Sequence, residues 1–408
     1  MPTKRTLATT RIPARLTAFL SFSIAFGLFI CPALFAQQSG EHAPPGVDGY
    51  PILAIGSTAP DFSLPGVDGK THSLKDYAGS KVLVIIFTCD HCPVAQMYEK
   101  RIKEMAAGYK DRGVAVIAIM GNDPRAEMYS ELGYTDVGDY FPDMKVRAAY
   151  RGFNFPYLYD GDTQAVARKY GPTATPHAFI FDQQRILRYE GRIDSNPREA
   201  LATKHEARDA IEDLLAGREV AVKTAPAVGC STKWAFKEDS AKAQAGADDA
   251  KPVKVDLVTV PELTTLIKNH NSDKLLLVNF WATWCTPCLA EFPEIEKMVR
   301  MYGDRQVQIV TVSINSPDER QLVLGFLQKQ HAFNRNLLFN SNDAAEAVSA
   351  VGSGWKGGVP LTLLIGMDGK VLYSTQGDMD PLVVQRALLK NLPDDRYLGQ
   401  QAYWDSSF

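Results

Sequence analysis

The chain has 408 residues, of which 45% are hydrophobic and 22% are charged, and its formal net charge is −3. This length favours two domains, each large enough to bury its own core. Acidic and basic residues are mixed along the chain, so no basic block indicates nucleic-acid binding and no acidic tail indicates a basic partner.

Residues 1–36 have the layout of a secretory signal peptide. Four Lys and Arg residues precede a mostly apolar run over 16–30, and Ala36 is followed by a polar stretch. We predict cleavage after Ala36 and export to the periplasm or another extracytoplasmic compartment. The alternative is an uncleaved membrane anchor, since the apolar run is near the lower limit for crossing a bilayer. Residues 37–56, rich in Gly and Pro, are predicted to be a leader.

The pattern of residues 57–220 predicts one α/β domain. Its first strand is a continuous apolar run, Lys81–Thr88, as expected for a strand buried on both faces. The elements predicted after it are a helix over 93–109, a strand over Val114–Met120, a strand over Phe155–Tyr159, a helix over Thr163–Tyr170, a hairpin of His177–Phe181 with Ile186–Tyr189, and a helix over Glu206–Ala216.

Residues 221–255, which include Cys230, are predicted to be a linker because Lys237–Pro252 has no apolar periodicity. Residues 256–395 then repeat the order of the first domain, and 396–408 are predicted to be a C-terminal tail. The elements predicted in this second half are a strand over Lys274–Thr283, a helix over 287–301, a strand over Val307–Ile314, a helix over 319–330, a hairpin of Leu361–Ile365 with Val371–Ser374, and a helix over 382–392. Alternating strands and helices predict α/β sheets with parallel cores.

Four of the five cysteines that remain after the predicted cleavage form two Cys-x-x-Cys pairs. Cys89 and Cys92 follow the first apolar strand of one half, and Cys285 and Cys288 follow that of the other. This places each first cysteine at a helix N-terminus, where the helix dipole and free N–H groups stabilise a thiolate. The first cysteine attacks a disulfide and the second resolves the mixed disulfide. We therefore predict a thiol–disulfide oxidoreductase that needs no cofactor.

The sequence NFWATWCTPCLAEFPEIEKM resembles the periplasmic thioredoxins that serve cytochrome c maturation, over about 258–392. The resemblance implies a thioredoxin-like fold, a central mixed sheet flanked by helices. It also implies that Glu291 is a buried acid that handles protons for Cys288, and that Trp284 packs near the substrate. A solvated Glu291 on the helix face is the alternative. Leu361 departs from the family, which usually has Thr there.

The first half resembles redoxin-type proteins of the alkyl hydroperoxide reductase and thiol-specific antioxidant superfamily, over about 55–234. The motifs are APDFSLPGVDGK, FTCDHCPVAQMYE, TPHAFIFD, YEGRID and GCSTKW. The Pro-x-x-x-Thr/Ser-x-x-Cys loop that binds peroxide is missing, so we expect a second thioredoxin-like dithiol exchanger. A peroxiredoxin-like antioxidant is the alternative function.

Each half has a proline just before a late strand, in Thr175-Pro176 and Val359-Pro360. In thioredoxin-like folds a cis-proline at this place faces the cysteine pair and exposes backbone for substrate pairing. The resemblance therefore implies a substrate groove at both positions.

His91 lies between the first two cysteines, as in periplasmic disulfide oxidants, where it stabilises the first thiolate. The Thr-Pro dipeptide of the second pair is more like that of a reductase. We therefore expect electrons to pass from Cys285/Cys288 to Cys89/Cys92. The expected partners are protein thiols and disulfides, with a membrane electron-donor protein and no nucleic acid.

The sequence leaves three questions open. The first pair is also open to copper or zinc binding, with Cys89, His91 and Cys92 as soft ligands and Cys230 as a fourth. Cys230 itself has three open roles: a buried structural cysteine, a third redox thiol, or an intermolecular bridge. A scaffold domain without catalysis is the alternative to an enzyme.

Overall fold

The computed structural model describes residues 49–270, 272–352 and 354–406. The predicted signal peptide and most of the predicted leader lie outside these ranges. Among the residues described, no helix is long and apolar enough to cross a membrane.

The first domain is built on a five-stranded mixed sheet. Its helices are α1 (Pro93–Tyr109), α2 (Phe141–Arg151), α3 (Ala167–Tyr170) and α4 (Glu206–Leu215). Its strands are β1 (Ser63–Pro65), β2 (Thr71–Ser73), β3 (Val82–Thr88), β4 (Val114–Met120), β5 (Tyr157–Tyr159), β6 (Ala174–Thr175), β7 (His177–Phe181) and β8 (Leu187–Gly191). The order in the sheet is β5-β4-β3-β7-β8, and β3 is parallel to β4 and antiparallel to β7.

The second domain is built on a six-stranded mixed sheet. Its helices are α6 (Val260–Lys268), α7 (Thr286–Tyr302), α8 (Arg320–Lys329), α9 (Ala344–Val351) and α10 (Pro381–Asn391). Its strands are β10 (Asp256–Val258), β11 (Leu275–Trp281), β12 (Val307–Ser313), β13 (Arg335–Phe339), β14 (Leu361–Ile365) and β15 (Val371–Gln376). The order in the sheet is β10-β13-β12-β11-β14-β15. Both domains have a mixed sheet flanked by helices, as predicted.

The apolar runs form the central strands because each is buried on both faces. In β3, Val82, Val84 and Ile86 pack into one core, while Leu83 and Ile85 pack into another on the opposite face. Strand β11 alternates between two cores in the same way. A strand with apolar side chains on both faces is stable only between two layers of other elements, so these runs fix the middle of each domain.

The segment 221–255, predicted to be a linker, is largely ordered structure. It contains β9 (Cys230–Ser231), which pairs with β6, and helix α5 (Glu238–Asp249). Between them, Trp234 is buried in the core of the first domain. The apolar periodicity of α5 is weak because Ala241 is the one residue of that helix that is buried.

The C-terminal tail also folds, as helix α11 (Gln400–Asp405), and it packs against the first domain. The Gln400 side-chain amide donates a hydrogen bond of 2.6 Å to the Gln96 side chain on α1. The Tyr403 hydroxyl donates one of 2.7 Å to Glu99, on the same helix. The end of the chain therefore ties the second domain to the first.

A turn of the first domain packs directly on α7 of the second. The Tyr302 hydroxyl donates a hydrogen bond of 2.6 Å to the carbonyl of Thr135, and Arg305 donates one of 2.6 Å to the carbonyl of Gly133. A Cβ at Gly133 would lie 2.5 Å from the Met301 carbonyl oxygen, so this approach requires glycine. The two domains belong to one compact unit.

Candidate active sites

Site 2, the Cys285/Cys288 pair, lies where β11 ends and α7 begins. Cys285 is the N-cap residue of α7, and its sulfur accepts the backbone N–H of Cys288 at 3.2 Å. The two cysteines are joined by a disulfide. Both are buried, but the preceding Trp284 has 62% of its surface exposed. Site 2 therefore combines the helix N-terminus that the sequence predicted for this pair with an exposed aromatic ring.

Glu291 lies one turn after Cys288 on α7 and is half-buried. One carboxylate oxygen accepts a hydrogen bond of 2.9 Å from Asn279, and the other accepts the backbone N–H of Met379 at 3.2 Å. Burial raises the pKa of Glu291, although these two hydrogen bonds oppose the shift. The carboxyl group thus holds its proton to a higher pH than an exposed glutamate does.

The Val359-Pro360 peptide bond is cis and directly precedes β14, the strand that pairs with β11. Val359 is half-buried and packs against the apolar cluster that contains Cys285 and Cys288. The residue before this proline therefore borders site 2, where the sequence placed a substrate groove.

Site 1, the Cys89/Cys92 pair, differs from site 2 in where its helix begins. Helix α1 starts at Pro93, so the second cysteine, Cys92, is the N-cap residue. The helix predicted over 93–109 is confirmed, but Cys89 lies four residues before its first residue rather than at its N-terminus. Both thiols are free and buried, with Cys89 3% and Cys92 0% exposed.

Thr175, the residue before the second cis proline, Pro176, contacts both thiols of site 1. Its hydroxyl lies 3.0 Å from the Cys89 sulfur, and its carbonyl oxygen lies 3.5 Å from the Cys92 sulfur. The structure therefore brings Cys89, Cys92, Thr175 and Pro176 together.

Cys230 is a third thiol at site 1. It is half-buried, and its backbone N–H donates a hydrogen bond of 3.3 Å to the Cys92 sulfur. The sequence left Cys230 open between a structural cysteine, a third redox thiol and an intermolecular bridge, and offered it as a fourth metal ligand at this pair. Strand pairing of Thr175 with Cys230 places it against the pair.

The pKa values of the two thiols of site 1 are shifted in opposite directions. Burial would raise the Cys92 pKa, but hydrogen bonds from Cys230 and Cys89 and the charge of His91 bring it well below its usual value. Burial, Cys92 and Asp139 raise the pKa of Cys89. The expectation that His91 stabilises the first thiolate is therefore not met, because its charge favours a thiolate at Cys92.

His91 is held in a buried acidic pocket. Its Nδ1 lies 2.7 Å from an Asp139 carboxylate oxygen and 3.4 Å from one of Glu127. Burial would lower the His91 pKa, but Asp139 and Glu127 raise it well above its usual value. Reciprocally, the pKa of Asp139 is lowered despite burial, chiefly by the His91 charge. This imidazolium is the positive charge that favours a thiolate nearby.

The sequence offered four candidate metal ligands: Cys89, His91, Cys92 and Cys230. The fold does not bring these four together as one group. Within the described part of the chain, the ligand atoms of Cys89, His91 and Asp139 lie within 4.8 Å of one another, while Cys92 and Cys230 are not part of this group. Asp139 instead pairs with His91 Nδ1 as a buried ion pair at 2.7 Å.

Comparisons with known proteins agree with this architecture. The AhpC/TSA family model matches residues 55–190, and the Redoxin family model matches residues 240–388. The thiol:disulfide interchange protein CycY of Rhizobium leguminosarum bv. viciae is 32% identical over 151 residues, which are 37% of this chain and 73% of that protein.

The chain belongs to the thioredoxin-like thiol–disulfide oxidoreductases. The predicted fold class, the tandem arrangement and the enzyme class are thereby confirmed. The thiol-disulfide oxidoreductase ResA of Bacillus cereus is 26% identical over 41% of this chain and 90% of that protein. A solved structure of an uncharacterized conserved protein from Geobacillus kaustophilus is 36% identical over 45% of this chain and 93% of that one, with a TM-score of 0.40.

Sequence reasoning missed two acidic residues of this oxidoreductase, Asp139 and Glu127. They lie 48 and 36 positions after His91 and belong to no motif around the cysteines. A histidine between two cysteines that must stay charged inside a core requires a buried carboxylate. That requirement predicts the residue type but not its position in the sequence.

Proposed function

We propose that this oxidoreductase is exported and exchanges disulfides with polypeptide clients, and that site 2 is where it meets them. The observation that supports this most is Cys285 at the start of α7 beside the exposed Trp284. An exposed tryptophan offers apolar surface to a client next to the reactive sulfur. Export rests on the signal-peptide pattern of the sequence.

The reaction at site 2 has two steps. In the reduced enzyme the Cys285 thiolate attacks a client disulfide, forms a mixed disulfide and releases one client thiolate. Cys288 then loses its proton to Glu291 and attacks the Cys285 sulfur. Glu291 passes that proton to the second client sulfur, which leaves as a thiol, and the first client thiolate takes a proton from water. The client gains two electrons and two protons, and the enzyme is left with the Cys285–Cys288 disulfide. A dithiol donor protein at the membrane would reduce it again.

Site 1 would act with site 2 as a relay. A positive His91 favours a thiolate at site 1, and a stabilised reduced form makes a dithiol pair more oxidising. We therefore propose that electrons pass from Cys285/Cys288 to Cys89/Cys92. The reduction potentials of the two pairs decide whether this direction is possible.

Trapping of mixed disulfides tests the order of attack at site 2. In a mature chain in which Cys89, Cys92 and Cys230 are Ser, Cys288→Ser is expected to accumulate client adducts on Cys285, because the resolving thiol is gone. The matched variant Cys285→Ser should trap little, since Cys288 lies within the first turn of α7 behind the N-cap position that Cys285 holds. Non-reducing gels and mass spectrometry of the adducts give the result, and equal trapping by both variants contradicts the proposal.

Glu291→Gln tests the proton-transfer role. We expect resolution of the mixed disulfide to slow about a hundredfold near neutral pH. In the unchanged enzyme the rate should rise with pH as Glu291 loses its proton and becomes a base. In the variant the rate should rise only as the Cys288 thiol itself ionises. Stopped-flow release of the client measures this, with Glu294→Gln, one turn further along α7, as the control. Equal slowing by both variants refutes the role.

A further inference from the structure

Strand β9 covers the edge of site 1 that borders the two thiols. Strand β9 lies antiparallel to β6, with Thr175 opposite Cys230 and Ala174 opposite Ser231. In the second domain no strand pairs with the corresponding residues before Pro360, among the residues described. The two sites therefore differ in access: a client backbone can approach this edge at site 2 but not at site 1.

The covering segment is fixed in place. A Cβ at Gly229 would lie 1.8 Å from the Thr175 carbonyl oxygen, so no side chain fits between the two strands there. On the other side of Cys230, the Thr232 hydroxyl donates a hydrogen bond of 2.7 Å to the carbonyl of Pro172, and Trp234 is buried in the core. Cys230 is thus held at a defined position between two anchored points.

That position is beside Cys92. The Cys230 N–H donates to the Cys92 sulfur at 3.3 Å, and the Thr175 hydroxyl points to the Cys230 carbonyl at 3.5 Å and to the Cys89 sulfur at 3.0 Å. Of the three cysteines, Cys230 alone is partly exposed, while Cys89 and Cys92 are buried. A reagent from solvent therefore reaches Cys230 before it reaches the pair.

We propose that Cys230 is the thiol through which site 1 exchanges with a small disulfide, and that Cys92 is its internal partner. The inference rests on the proposed dithiol exchange at site 1 and assigns its substrate class. A small disulfide fits because β9 occupies the edge along which an extended polypeptide would pair.

The reaction balances over two steps. Cys230 passes its proton to the neighbouring Cys92 thiolate, attacks one sulfur of the small disulfide, forms a mixed disulfide and expels a thiolate. Cys92 gives that proton to the expelled thiolate, attacks the Cys230 sulfur and expels the second thiolate, which leaves a Cys92–Cys230 disulfide. The second released thiolate takes a proton from water. Cys89 can then attack Cys92, which transfers the disulfide to Cys89–Cys92 and frees Cys230 for the next turn.

The test uses the full mature chain with Cys285→Ser and Cys288→Ser, so that site 1 reacts alone, and oxidised glutathione as the probe. Acid quenching and peptide mapping identify the disulfides formed. We expect a Cys92–Cys230 disulfide at early times and Cys89–Cys92 later. Cys230→Ser is expected to slow oxidation of site 1 by about tenfold or more, because the accessible thiol is gone.

A second variant keeps the inference testable if Cys230→Ser disturbs the core. With Cys89→Ser added to the same chain, a Cys92–Cys230 disulfide should still form and persist. Glutathione that remains on Cys92 without bridging to Cys230 overturns the inference. Formation of the Cys89–Cys92 disulfide at an unchanged rate in Cys230→Ser also overturns the inference. That result is still consistent with dithiol exchange at site 1, the proposed function. If none of the three cysteines reacts, dithiol exchange at site 1 fails as well.

Discussion

Replacing Cys285 by Ser is expected to lower the reduction of a protein disulfide such as insulin by about a thousandfold or more. A hydroxyl cannot replace the thiolate, because it neither ionises near neutral pH nor forms a disulfide. Turbidity of reduced insulin, with a dithiol reductant in excess, measures the rate. Cys89→Ser in the same full-length chain should keep most of the activity, since site 1 is buried and its edge is covered.

Comparable losses in the two variants would mean that polypeptide clients react at site 1 as well. Two further chains test the relay, because each keeps one pair alone: Ser at Cys89, Cys92 and Cys230 leaves Cys285/Cys288, and Ser at Cys230, Cys285 and Cys288 leaves Cys89/Cys92. Equilibration of each chain with glutathione buffers gives the potential of the remaining pair. The proposed direction requires the more negative potential for Cys285/Cys288, and equal or reversed values exclude it.

Replacing Arg147 by Met is expected to destabilise the folded chain by about 3 to 5 kcal/mol. Arg147 is fully buried, and its guanidinium contacts the Asp136 carboxylate at 2.9 Å and the Tyr403 hydroxyl at 2.6 Å. It also donates to the Asp90 carbonyl, within the Cys-x-x-Cys loop, at 3.4 Å. Methionine fills much of the space but removes the buried positive charge that pairs with Asp136 Oδ1 and the donor to the Tyr403 hydroxyl.

Urea unfolding followed by circular dichroism measures the loss. Lys100→Ala is the matched control, because its ion pairs with Glu104 and Glu199 join exposed side chains that contribute little to stability. We expect no measurable change in that variant. A loss in Arg147→Met as small as in the control would show that the buried network does not hold α11 and the first domain together.

Local patterns in the sequence were enough for much of the fold. The apolar runs at 81–88 and 274–283 indicated the central strands, because only a strand buried on both faces has such a composition. The short spacing within each Cys-x-x-Cys pair, directly after those strands, placed both pairs at strand ends. The predicted helix over Thr163–Tyr170 was too long, since the structure has α3 only over Ala167–Tyr170.

The second half contained helices that the pattern did not reveal. Helix α6 (Val260–Lys268) has 9 residues and helix α9 (Ala344–Val351) has 8, which is too short for a helical period to stand out. The predicted linker was misleading for a related reason: α5 buries a single alanine, and β9 is only two residues long. Elements of this size are fixed by their neighbours rather than by their own propensity.

What the sequence determined alone is therefore the α/β class, the tandem repeat and the location of the two dithiols, since each depends on residues close together in the chain. Tertiary structure decided how the sites differ. Cys230 reaches Cys92 across 138 residues, Asp139 reaches His91 across 48, and Gln400 reaches Gln96 across 304. Such contacts depend on the path of the whole chain, and they set which thiol has the lowered pKa, which is partly exposed and which edge is covered.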